Sequence, residues 1–251
     1  MRSRRATELI ALGRHLGTAT LAGAVSGIVV GGLLGRVVMR IAGFMAGPGL
    51  AGVSTANGNQ VGQITFAGTA AIVVFVGLSG GLIGGVLYGV IEPWLRPLRP
   101  WHGLAYGAAL LASSGFLVLD PANLDFVRFG SAPVNVAMFA ALFVIFGVVI
   151  AWLFDRLRAS IAGTSTRARV AEVLAFLALI PGVIATVLVL VSVSGLAEPL
   201  FPLALVLSLL IAAIVRARAL PLPIGYAALG TTILLGALRT IGGLPGILSG
   251  F

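Results

Sequence analysis

With 251 residues, 59% of them hydrophobic and only 9% charged, and a mean hydropathy of +1.13, the chain has too few polar groups to cover a soluble domain of its size. The formal charge is +9, yet lysine is absent and every basic side chain besides histidine is arginine, which excludes a Schiff base to retinal or to pyridoxal phosphate. Cysteine is absent too, excluding disulfides, thiolate metal sites and cysteine catalysis.

The chain opens on a basic segment, Met1 to His15, carrying Arg2, Arg4, Arg5 and Arg14. The apolar stretch that follows, Leu16 to Gly47, far exceeds the roughly 7–15 residues of a signal-peptide core, so it reads as a retained crossing. Within it Gly23, Gly27, Gly31 and Gly35 recur at every fourth position, the spacing that lets two helices approach closely in lipid. Arg36 and Arg40 follow one helical turn apart, beside that stripe. An arginine at the centre of a crossing costs about 2.5–3.5 kcal/mol, so the pair either reaches the outer interface, finds acids, or lines a wet path. Residues 53–65 are uncharged but dense in amides and hydroxyls, with Asn57-Gly58 favouring a tight turn, and read as a solvated outer loop or a vestibule cover.

A second crossing is expected over Phe66–Ile91, where Gly77, Gly81, Gly85 and Gly89 repeat the four-residue spacing. The two glycine stripes predict a close antiparallel hairpin. A third crossing is expected over Gly103–Leu119, followed by a loop with Asp120, Asp125 and Arg128. Asp120 precedes a proline and suits a helix cap, while Asp125 is a candidate partner for Arg36 and Arg40. Further crossings are expected over Val134–Phe154, Val170–Val193, Leu200–Val215 and Ile224–Ile241. Pro181-Gly182 should kink or break the fifth, a turn with Glu198 and Pro199 separates it from the sixth, and Arg239 lies near the outer end of the seventh.

The reading is an all-α fold, a polytopic transmembrane bundle of about seven helices forming a single domain over residues 1–251. Arginines at the N-terminus, at 96 and 99, at 156, 158, 167 and 169, and at 216 and 218 alternate so as to share one side, which the positive-inside rule assigns to the cytoplasm. The N-terminus is then inside and the C-terminus outside, in the inner or plasma membrane of a cell. Trp94, Trp101, Trp152, Tyr88, Tyr106 and Tyr226 fall towards the same side and read as an interfacial belt. The lipid bilayer is the expected partner, with anionic lipids at the arginine face, and a second copy of the chain is a further one; a nucleic-acid partner is not expected. His15 and His102 read as solvated interfacial residues, and no metal or cofactor is expected. No nucleophile motif or phosphate-cradling loop occurs, so the chain leans away from an enzyme.

The run Gly31-Gly-Leu-Leu-Gly35-Arg36-Val-Val-Met39-Arg40, with the amide-rich loop and the second glycine helix, resembles a group of uncharacterised multi-pass membrane proteins from GC-rich bacteria. The likeness covers chiefly the first 130 residues and implies kinship of fold; that group has no known activity to carry over. Two readings stay open. A small-solute, anion-preferring transporter or channel would use Arg36, Arg40, Asp120, Asp125, Arg128 and Arg239. A structural or assembly protein would use the glycine stripes for packing and keep the arginines as anchors.

Overall fold

A computed structural model describes residues 2–47, 49, 53, 65–119, 130–163, 165–194 and 222–248. Every regular element among the described residues is helical, in keeping with the all-α expectation. The first rod, α1, joins an α-helix Arg2–Ser26, a π-helical segment Gly27–Leu34 and an α-helix Gly35–Met45 without interruption. It starts well before the apolar stretch, because Arg, Ala, Glu and Leu in its first turns are strong helix formers. The basic segment expected as an extension is therefore the beginning of α1.

The second rod, α2, is built alike: Phe66–Ala71 is α-helical, Ile72–Leu78 π-helical, Ser79–Leu95 α-helical and Arg96–Leu98 a closing 3-10 turn. Thr65 caps it, its hydroxyl accepting the Gly68 N–H at 3.1 Å. Helix α3 runs over His102–Ser114 and ends in a 3-10 turn Gly115–Leu117. Helix α4 spans Ala132–Ile161, with Pro133 in its first turn, where a missing N–H breaks no bond. Helix α5 spans Thr166–Ser194, and Ser165 accepts the Ala168 N–H at 3.2 Å at its start. Helix α6 spans Leu222–Leu248.

Five of these stretches are long and apolar enough to cross a membrane: Thr7–Met45, Phe66–Leu98, Ala132–Ile161, Thr166–Val189 and Leu229–Leu248. Helix α3, with 13 α-helical and 3 3-10 residues, falls short of the roughly 20 a full crossing takes. The expected sixth crossing, Leu200–Val215, lies outside the described residues, as do Asp120, Asp125, Arg128, Glu198 and nearly all of the 53–65 loop. Pro181 does not break the fifth: α5 is continuous through it.

Packing follows small residues. Helices α1 and α2 run antiparallel in backbone contact, with Gly23 against Gly81 and Gly85, Gly27 against Gly77 and Gly81, and Gly85 against Ala19 and Thr20. A Cβ on Gly85 would stand 2.6 Å from the Thr20 Cα, so no side chain fits there. Helices α3 and α4 make a second such seam, Gly147 lying against Gly103 and Gly107. Helix α6 lays Gly236 against Ser113 of α3 and runs parallel to it, Thr240 meeting Phe116 three residues further on. Helix α5 runs parallel to α1, with Gly17 against Ala175 and Thr20 against Gly182. Where α1, α2, α3 and α4 converge, Tyr88, Tyr106, Ile150 and Phe154 are fully buried and form the core. Gly130, just before α4, adopts a left-handed φ of 80° and would drive a Cβ to 2.7 Å from Met45, two reasons for glycine at one position.

Candidate functional site

Ionisable side chains concentrate at the end of the bundle that holds the start of α1, the end of α2 and the α4–α5 turn. Glu92 of α2 is fully buried there. Its partner is one helical turn on: Arg96 donates from Nε to Oε1 at 2.8 Å and from a terminal nitrogen to Oε2 at 2.9 Å. This bidentate fork is the geometry in which an arginine best compensates a desolvated carboxylate. From α1, His15 places Nε2 2.9 Å from the Gly89 carbonyl oxygen and 3.8 Å from Glu92 Oε2. Since a carbonyl only accepts, the 2.9 Å contact requires a proton on Nε2.

Two further pairs extend the cluster. Arg99 donates to Asp155 at 2.8 Å, tying the α2–α3 turn to α4, and His102 stands 3.8 Å from the other oxygen of that carboxylate. Arg14 of α1 binds Glu172 of α5, with Nε 2.8 Å from Oε1. Thus α1, α2, α4 and α5 are stitched together at one end by three arginine–carboxylate pairs, one of them buried. Below lie the aromatic rings: Tyr88 packs edge-on against Tyr106 and Phe154, with centroids 5.0 and 5.4 Å apart, and Tyr106 donates to the Gly84 carbonyl oxygen at 2.5 Å.

This cluster departs from the sequence reading in three ways. Trp94, Tyr88 and Tyr106 are buried inside the bundle and do not belong to an interfacial belt; Trp101, Trp152 and Tyr226 are the exposed rings. The histidines, expected to be solvated, are partly (His15) or largely (His102) buried. Glu92 was passed over as one more acid near a boundary. Its signal was the Glu-to-Arg spacing of four on a helix, the favourable orientation for an ion pair. The Gly103–Gly107 spacing likewise marks the α3–α4 seam.

The outer arginines are seated separately. Arg36 and Arg40 are both half-buried on the last part of α1, and the Arg40 guanidinium lies 4.7 Å over the ring of Phe44, itself 73% exposed. Arg239 is exposed on α6, 4.8 Å over the Phe116 ring of α3. Each stacked guanidinium presents its charge at the rim of the bundle, a geometry suited to anchoring. Of the glycines singled out, Gly23, Gly27, Gly77, Gly81 and Gly85 lie in backbone contact, Gly89 meets Ala19 and Leu16, and Gly31 and Gly35 are looser, at 3.4 Å from Gly77 and 3.7 Å from Val30.

A crevice of about 50 Å³ opens between α2, α3 and α6, walled by Leu87, Val90, Ala109 and Ile233 with Ser113 and Thr232 as its polar edge. That is room for a water or two. Among the described residues no group of three or more His, Asp or Glu side chains is arranged to hold a metal ion. The chain matches no protein-family model, no curated protein and no solved structure.

Proposed function

We propose that the chain is a multi-pass protein of the inner or plasma membrane, N-terminus inside, with seven crossings, whose bundle serves as a structural or assembly unit. The observation that carries this reading is the use made of its polar and small residues. The glycine stripes of α1 and α2 are spent on each other, and the buried carboxylate is fully forked by Arg96. Two of the three outer arginines stack on rings at the rim. Packing of this kind fixes helices in one arrangement, as a scaffold requires and a carrier that must rock does not. Any partner, a second copy included, meets the bundle through faces other than the α1–α2 seam.

A second reading, a small-anion transporter, draws on the half-buried position of Arg36 and Arg40 directly after the π-helical part of α1. Proteoliposome uptake of a panel of small anions separates the two. The scaffold reading expects no uptake by the wild type and normal insertion of Arg36→Ala and Arg40→Ala. Uptake that these substitutions abolish in correctly folded protein would overturn it. Reporter fusions after Gln60, Leu98, Ala162 and the C-terminus test the topology, with the second and third expected inside; a cytoplasmic C-terminus would remove one crossing.

A further inference from the structure

The arginines at the charged end fall into two sets. Arg14, Arg96 and Arg99 each hold a carboxylate. Arg156, Arg158, Arg167 and Arg169 are all exposed, and among the described residues none of the four forms an ion pair. All four lie on the last turn and a half of α4 and the first turn of α5. The acids nearest in sequence, Asp155 and Glu172, are already engaged by Arg99 and Arg14, so this excess charge is not neutralised locally.

Their placement on the two helices indicates what would neutralise it. On α4, Ile145, Val148 and Trp152 form an exposed line, and Arg156 is the next position along it, its guanidinium 5.5 Å over the Trp152 ring. The neighbours Ala151 and Phe154 are buried, so this line points away from the bundle. On α5, Ile184, Ile180, Leu177 and Val173 form a second exposed apolar line that ends at Arg169. Each arginine stands at the foot of an apolar stripe turned outward. In a membrane that depth is the headgroup layer, where a guanidinium meets phosphate oxygens and a tryptophan ring sits just beneath. A soluble anion or a cytosolic protein would have no need of the apolar lines above the charges.

We propose that the α4–α5 end is a binding surface for anionic phospholipid headgroups, with Arg156 and Arg169 taking lipid phosphates at the foot of the two stripes and Arg158 and Arg167 adding charge between them. The guanidinium fork suits a phosphate oxygen pair, which distinguishes these residues from mere topology signals. The inference rests on the membrane-spanning reading, and one experiment separates the two. In a Trp101→Phe background, Trp152 is the exposed indole, Trp94 being buried. Its fluorescence is measured in vesicles containing brominated phosphatidylglycerol or brominated phosphatidylcholine at equal mole fraction. Phosphatidylglycerol should quench more, and the preference should fall about fivefold for Arg156→Gln and again for Arg169→Gln. Arg156→Lys and Arg169→Lys, which keep the charge, should retain most of it, and Arg40→Gln at the other end should change nothing. Inorganic phosphate should not compete. Equal quenching by both lipids would overturn the headgroup site while leaving the membrane reading intact. Loss of preference on adding phosphate would make it a soluble-anion site. Quenching by neither lipid would overturn the membrane reading itself.

Discussion

The two ends of the α1–α2 hairpin are held by different physics. At the charged end, His15, Glu92 and Arg96 join the helices through directional polar contacts, and the tyrosines and Phe154 fill the space between four helices. Towards the other end the same two helices touch through backbone alone, Gly27 on Gly77 and Gly81, and both pass into π-helical turns as they do so. The first mode tolerates a change in shape but not a lost charge partner, because an orphaned carboxylate in a low-dielectric site is costly. The second tolerates no added volume, because nothing at the contact can rotate out of the way.

The sharpest way to break this contrast is at Arg96. Arg96→Ala leaves the Glu92 carboxylate buried without its fork and should destabilise the protein by about 3–5 kcal/mol. Glu92→Ala should cost less, since the Arg96 side chain is 45% exposed and can turn to water. Denaturation in detergent, followed by tryptophan fluorescence, reads the difference; equal losses would mean that water reaches Glu92 in the native state. Next in size are the seam glycines. Gly27→Leu and Gly81→Leu should each cost on the order of 1–3 kcal/mol by overpacking, while Gly31→Ala, whose added Cβ would sit 3.4 Å from Gly77, should leave the melting temperature unchanged. A Gly31→Ala protein as damaged as Gly27→Leu would show that the seam stays tight further along than its geometry indicates. The smallest effects belong to the exposed groups. Arg99→Ala should cost about 0.2–1 kcal/mol, as half-exposed ion pairs do, and Arg40→Ala about 0.5–1 kcal/mol for its lost ring contact. A loss as large as that of Arg96→Ala at either position would place it inside the core.

Much of this architecture was legible in the residues. Long apolar runs over 66–91, 134–154 and 224–241 coincide with helices because lipid or a helical interior demands just such runs. The pairing of Gly27 with Gly81 follows from two four-residue spacings, a pattern that is local to each helix. Burial of Glu92 could not be read in the same way: the His15–Gly89 contact that closes the cluster joins positions 74 apart in the chain, and no local pattern encodes it. Tyr88 and Tyr106 were misassigned for the same reason, since a ring near the end of a crossing faces lipid or core according to its neighbours. As for the expected solute path, Arg36, Arg40 and Arg239 are seated on two different helices, and the acids proposed to join them lie outside the described residues. The π-helical segments gave no sign either, for glycines four apart suit either winding.

Those two segments make chain length a coupled property of the hairpin. In each, hydrogen bonds reach back five residues, Gly35 N–H to Val30 and Ser79 N–H to Val74, so each turn holds one residue more than an α-helical turn. Deleting one residue between Gly27 and Leu34 would let α1 rewind as α-helix and swing everything beyond it by about 100°. Arg36 and Arg40 would then point to a different neighbour, and Gly32 would leave Val73. The facing stretch, Ile72–Leu78, would keep its surplus with nothing to match it. A single deletion in either segment should therefore be tolerated worse than a paired one, which makes the number of residues in each stretch, as much as their identity, part of what specifies this contact.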